Sequence, residues 1–150
     1  MSDEQKKQPS SEEITLARDG QSVDWYLQSL VSLVNKSLVE FGVTLFVEGV
    51  TISGQLVSGK KYFETFAKEF SDAYPGNAEI QENIRQAFAG HAAIYDREDA
   101  DKVSPPPQFI HLINCRCFSP GGVLPGNRGI LWRGKINAVS GFSLGSLSSE

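Results

Sequence analysis

Between residues 23 and 41 the apolar side chains recur at helical spacing. Val23, Leu27, Leu30, Val34 and Phe41, widened by Val31 and Leu38, form one stripe along "SVDWYLQSLVSLVNKSLVEFG". That period predicts an amphipathic helix. Ser22 is the expected N-cap, Asp24 suits the first turn, and Gly42 is the expected stop. The period then falls from 3.6 to 2. Val43, Leu45 and Val47 share one strand face, and Val50, Ile52, Gly54 and Leu56 share another beyond Glu48-Gly49. Two alternating runs joined by a two-residue, glycine-containing loop predict a β-hairpin. Gly54, inside the second run, predicts a bulge or a strong bend.

Helical spacing returns in "SGKKYFETFAKEFSDAYPG", where Phe63, Phe66, Ala67, Phe70 and Tyr74 make a face and Pro75-Gly76 ends it. "NAEIQENIRQAFAG" predicts a further, more charged helix, capped by Asn77 and stopped at Gly90. "FIHLINCRCF" reads as a strand without clean alternation, which predicts partial cover on both faces. "ILWRGKINAV" alternates again. It places Ile130, Trp132, Gly134, Ile136 and Ala138 on one face, and Leu131, Arg133, Lys135 and Asn137 on the other. "SGFSLGSL" predicts a last short strand.

A helix, a hairpin, two helices and then more short strands predict an α+β fold. The expected architecture is a small, strongly bent antiparallel β-barrel or half-barrel of Sm/SH3-like type. It has about five strands, an N-terminal helix and a helical insert at 60–90. A length of 150 residues suits one domain. Residues 1–21 read as a disordered polar tail, with "ITLAR" a short apolar exception that can dock locally. Residues 22–147 form the expected domain, with a loop or mobile insert at about 91–108, where acids and three prolines cluster. Residues 148–150 form a C-terminal tail.

Charge and composition narrow the function. A net charge of -4 argues against a general nucleic-acid binder, whose affinity depends on a basic surface. No apolar run reaches the roughly 20 residues of a membrane helix. "MSDEQKKQPSSEE" lacks the apolar region of a secretory signal, so a cytoplasmic protein is expected.

The candidate chemistry is sparse. His111, Cys115 and Cys117 share strand parity, yet His111 and Cys115 stand roughly 13 Å apart along a strand. One zinc needs its donors at about 2.0–2.3 Å, so no metal site is expected, and the cysteines read as small buried hydrophobes. Cys-His catalysis meets the same distance, and His91 sits apart at a helix end. No nucleophile elbow occurs, "GQLVSGKK" lacks the glycine spacing of a phosphate loop, and the acidic stretch lacks that of a calcium loop. No catalytic residue and no cofactor is expected. Four residues stand out as partner-binding candidates: Arg133 and Lys135 on the polar side of the last long strand, and Phe63 and Phe66 in the helical stripe, which is otherwise core.

The ordered set Ile52-Ser53-Gly54, Tyr62-Phe63, Phe109 to Leu112 with Asn114, Trp132 to Ile136, and Gly141-Phe142 with Leu144-Gly145 resembles the gas vesicle protein U (GvpU) family of accessory proteins. It spans about residues 41–147. The resemblance implies a non-enzymatic accessory protein, cytoplasmic and gas vesicle associated, serving the gas-filled shells that give buoyancy. It implies contact with the shell or with other accessory proteins, and it carries over no catalytic residues. The long N-terminal tail and the acidic, proline-rich stretch depart from the family picture. Two alternatives stand beside it. Arg133-Gly134-Lys135 is similar to the Arg-Gly element of Sm-like RNA-binding modules, and a thiol-dependent or hydrolytic enzyme would reveal itself by polar side chains converging in a deep pocket. Short strands also leave edges, so self-association into an oligomer is expected.

Overall fold

The computed structural model describes residues 8–18, 23–95 and 105–147. In chain order the elements are α1 (Ser11–Arg18), α2 (Trp25–Ser37), β1 (Phe41–Val47), β2 (Val50–Val57), α3 (Gly59–Ala73), α4 (Ala78–Ala89), β3 (Phe109–Ser119), β4 (Gly122–Leu124), β5 (Ile130–Lys135) and β6 (Gly141–Leu144). Short 3-10 helices at Gly90–Tyr95 and Ile136–Ala138 follow α4 and β5.

The helix boundaries follow from their caps. α1 lies within the stretch read as a polar tail and opens on a reciprocal cap. The Ser10 hydroxyl accepts from the Glu13 N–H at 3.2 Å, and the Glu13 carboxylate accepts from the Ser10 N–H at 2.7 Å. Ser22, the expected cap of α2, lies outside the described residues. Asp24 caps it, accepting from the N–H groups of Tyr26 and Leu27 at 2.9 and 3.2 Å. α2 stops well before Gly42, with Leu38 in the left-handed region at φ 60°. Gly42 lies inside β1 instead, where a Cβ would stand 2.8 Å from the Ser146 nitrogen. Asn77 and Gly90 bound α4 as the sequence predicts.

Six strands form one antiparallel sheet in the order β4-β3-β2-β1-β6, with β5 also paired to β3. The β1–β2 hairpin turns at Glu48-Gly49, both at positive φ, as a tight two-residue loop requires. The α+β class is as expected, but the sheet is not closed into a barrel. Among the described residues no pairing joins β6 to β4 or β5, which closure would need. The reason lies in β3. β2 runs along one side of it, and its 11 residues seat β5 and β4 end to end on the other. The late strands therefore extend one edge of the sheet instead of curling round to meet β6.

One irregularity of β3, felt by both of its neighbours, decides which side chain faces where. The β2–β3 register shifts between Ser53 and Gln55, where Gly54 alone faces two residues of β3, Asn114 and Cys115, so the extra residue lies on β3 and not at Gly54. A Cβ on residue 54 would stand 2.9 Å from the Ile113 carbonyl oxygen, so only glycine fits there. The β3–β5 register shifts between Leu112 and Cys115, with Asn114 at φ 50°. One extra residue reverses the alternation. Shared parity of His111 with Cys115 and Cys117 therefore does not mean a shared face. Cys115 joins Leu112 in the core, while His111 lies on the opposite face.

That core is continuous. Leu27, Val31 and Val34 of α2 pack with Val43, Leu45, Ile52, Leu56, Ile110, Leu112, Cys115 and Ile136. Trp132 packs against its rim, and its ring occupies the space that a side chain on residue 134 would need. Gly134 is thus a seat for the Trp132 indole. Ile136 reaches the core from the 3-10 helix and not, as alternation predicts, from a longer strand, because β5 ends at Lys135. The other sheet face is covered at one end by α3 and the 3-10 helix at Gly90–Tyr95. At the other end the chain after β6 crosses it, where the Thr44 hydroxyl donates to the Gly145 carbonyl at 2.8 Å and Ser53 Oγ accepts from the Leu147 N–H at 2.6 Å.

Candidate functional site

The face under α3 brings Arg133 and Phe63 together, and it does so through His111. β3 and β5 pair with His111 opposite Arg133. The Arg133 Nε donates to His111 Nε2 at 3.1 Å. Its guanidinium carbon lies 3.6 Å from the Phe109 ring centroid and 5.7 Å from that of Phe63. Arginine over aromatic faces at these distances is an attractive arrangement. Arg133 as a residue remains exposed, so the pocket of rings holds it by one edge and one face only.

His111 is the hub. Tyr62, Phe63 and Tyr95 surround its ring at centroid distances of 4.8, 5.8 and 5.6 Å. The side chain is 1% exposed. Burial, and then the Arg133 charge, push its pKa down from 6.5 to about 3. The imidazole is therefore neutral near pH 7. Because Nε2 accepts from an arginine, Nδ1 carries the ring proton, and that buried N–H has no hydrogen-bond partner among the described residues. Burial likewise raises the Tyr62 phenol above its ordinary 10.0, ahead of an opposing effect from Arg133.

The other two partner-binding candidates border this cluster, Phe66 at 6.1 Å from Tyr62 between centroids and Lys135 opposite Phe109. Lys135 is exposed at the end of β5, in register with Phe109. Phe66 turns into the seam between α3 and α4, 5.8 Å from Phe88 and 6.1 Å from Phe70 between centroids. The α3 stripe is split by depth. Tyr62 and Ala67 are buried, whereas Phe70 and Tyr74 remain 45% and 44% exposed. α4 has no buried residue at all. Sequence reading missed Tyr62, Tyr95, Phe109 and His111 as parts of the site. Alternation did place Arg133 away from Trp132, but the pairing of β3 with β5 was needed to put His111 across from it.

This arrangement does not favour thiol or acid–base chemistry. Burial, followed by the neighbouring Cys117, pushes the Cys115 thiol up to about 12, and Cys115 lies in the core. A neutral His111 locked to Arg133 has no free lone pair to accept a substrate proton. Among the described residues no three His, Cys, Asp or Glu side chains converge as metal donors. Nor is any described helix long and apolar enough to cross a membrane. What remains is a rigid arginine set in aromatic rings beside a helical hairpin with exposed apolar side chains.

No curated protein and no solved structure matches the chain. The family model described as gas vesicle protein GvpU-like matches residues 24–147, which include every element from α2 to β6 and all of the Arg133 cluster. The chain belongs to the GvpU-like family of gas vesicle proteins.

Proposed function

We propose that this protein is a non-enzymatic accessory factor that acts by protein–protein contact in gas vesicle assembly, stability or organisation. It works in the cytoplasm on the vesicle shell or on other accessory proteins. The observation that carries this reading is the Arg133 cluster. A guanidinium fixed by His111 and Phe109 loses little freedom on docking, and rigid Arg and aromatic anchors are the side chains that dominate protein interfaces. Phe70 and Tyr74, half-exposed on the neighbouring hairpin, supply apolar area beside it. Lys135 adds a second cation on the same strand face, suited to an acidic partner surface.

The test is a pull-down from a vesicle-forming cell, paired with microscopy after gene deletion. Arg133→Ala is expected to lower recovery of vesicle proteins about tenfold, a loss of ~1.4 kcal/mol in affinity. Lys135→Ala is expected to have a smaller effect. Deletion is expected to change vesicle yield, shape or distribution. No co-purifying vesicle protein, together with an unaltered vesicle phenotype, defeats the reading. Self-association belongs to the same proposal, because β6 ends the sheet and no strand among the described residues pairs with its outer side, which can take a second copy. A strictly monomeric mass in solution at every concentration refutes that part.

A further inference from the structure

At the end of β3 away from His111, a polar pocket of about 320 Å³ opens in the sheet face beside the β3 bulge. Ser53, Gln55, Asn114, Arg116 and Ser146 line it, with Gly42 at its side. Among the described lining residues Arg116 alone is charged, and no carboxylate is among them. The bulge at Asn114 is what delivers the arginine. Without the extra residue, Arg116 would share the core face with Leu112. With it, Arg116 lies opposite Ser53 in register and on Ser53's side of the sheet. Its Nε is buried and has no hydrogen-bond partner among the described residues. Gly42 and Gly54 pack tightly at the edge of the pocket, where a Cβ would collide with the backbone of Ser146 and of Ile113.

A guanidinium in the wall of a polar cavity is complementary to an oxyanion, which accepts charge-assisted hydrogen bonds in a planar fork. On the other walls Gln55 Nε2 donates to Glu40 Oε2 at 3.2 Å and Ser53 Oγ is bonded to Thr44 and to the Leu147 N–H, which leaves the Ser146 hydroxyl and the Asn114 amide as the groups that match the remaining oxygens. The volume lies at the small end of the roughly 300–1,000 Å³ of ligand sites, which suits an ion or a small molecule and not a polymer. We infer that the Arg116 pocket binds an oxyanion, the phosphate or carboxylate group of a small molecule. The pocket is remote in register from the Arg133 cluster, and the inference does not depend on the vesicle reading.

The experiment is an NMR titration of the full chain. The Arg116 Nε–H resonance, assigned by its loss in Arg116→Lys, is followed while inorganic phosphate or glutarate is added at constant ionic strength against chloride. A saturable shift with either probe is expected, and the accompanying shifts of the Ser53 and Ser146 backbone amides, which survive in the variant, are expected to weaken about tenfold or more in Arg116→Gln; which probe acts identifies phosphate or carboxylate as the group preferred. Ser146→Asp, which tethers a carboxylate to the pocket wall, is expected to abolish the response to both. The wild-type shift can be read whether or not the variants fold. No saturable shift with either probe overturns the inference, as does a shift shared equally by the exposed arginines.

Discussion

Lowering the pH from 7 to 3 is expected to remove roughly 4 kcal/mol of folding stability through His111 alone. The folded pKa is about 3, against 6.5 for the free side chain, and burial is the larger cause, with Arg133 second. Between those values the unfolded chain binds a proton that the folded chain refuses. Stability therefore rises with pH across that window, is fully present above about 6.5, and is lost as pH falls toward 3. The groups facing His111 do not blur the effect. Tyr62, whose phenol burial holds above its ordinary 10.0, does not titrate in the window. Denaturant unfolding at a series of pH values gives the slope. His111→Gln, which keeps an acceptor for Arg133 but does not titrate, is the reference. Subtracting its slope removes the ordinary carboxylates. The wild type is expected to exceed it by roughly 1.4 kcal/mol per pH unit between about pH 4 and 6. Equal slopes would mean that His111 is protonated in the fold and that its bond to Arg133 is misassigned.

The same residue shows where sequence reading reaches and where it stops. Local signals were enough for α2, α3, α4 and the β1–β2 hairpin, because each carries its own period and its own turn or cap. Gly54 marks the place opposite the bulge, where the β3 backbone comes too close for a side chain, but the extra residue itself is Asn114 on β3. The Ser10–Glu13 cap was equally readable, yet it sits among polar residues that mask a helix as short as α1. Within β3 itself that bulge left no such mark. "FIHLINCRCF" is apolar at both parities, so nothing local says where the alternation reverses. Sheet closure was beyond reach for another reason. It depends on β3 being long enough to seat both β4 and β5, a relation between segments and not a property of any one. The site followed the same division. Parity put Arg133 on the side away from Trp132, but which elements cover that side is a tertiary fact. His111 and Tyr62 consequently entered only with the structure.

Leu45→Ala is expected to cost about 2–5 kcal/mol, and Leu144→Ala to stay within about 0.5 kcal/mol. The two leucines belong to adjacent paired strands and undergo the same chemical change, so the contrast isolates burial. Leu45 is 0% exposed. It sits between Ile52 on β2 and Phe142 on β6, under the α2 side chains of the core cluster. Truncation there leaves a cavity walled by strands on both sides and a helix above, with little freedom to collapse. Leu144 is 76% exposed on the edge strand, and its removal uncovers almost nothing. Thermal or denaturant unfolding measures both. The pair also separates fold from assembly. If β6 pairs with a second copy, Leu144→Ala weakens association while the stability of the dilute protein barely changes, whereas Leu45→Ala lowers stability at every concentration. A Leu45→Ala cost below about 1 kcal/mol would contradict a core built between α2 and this sheet face.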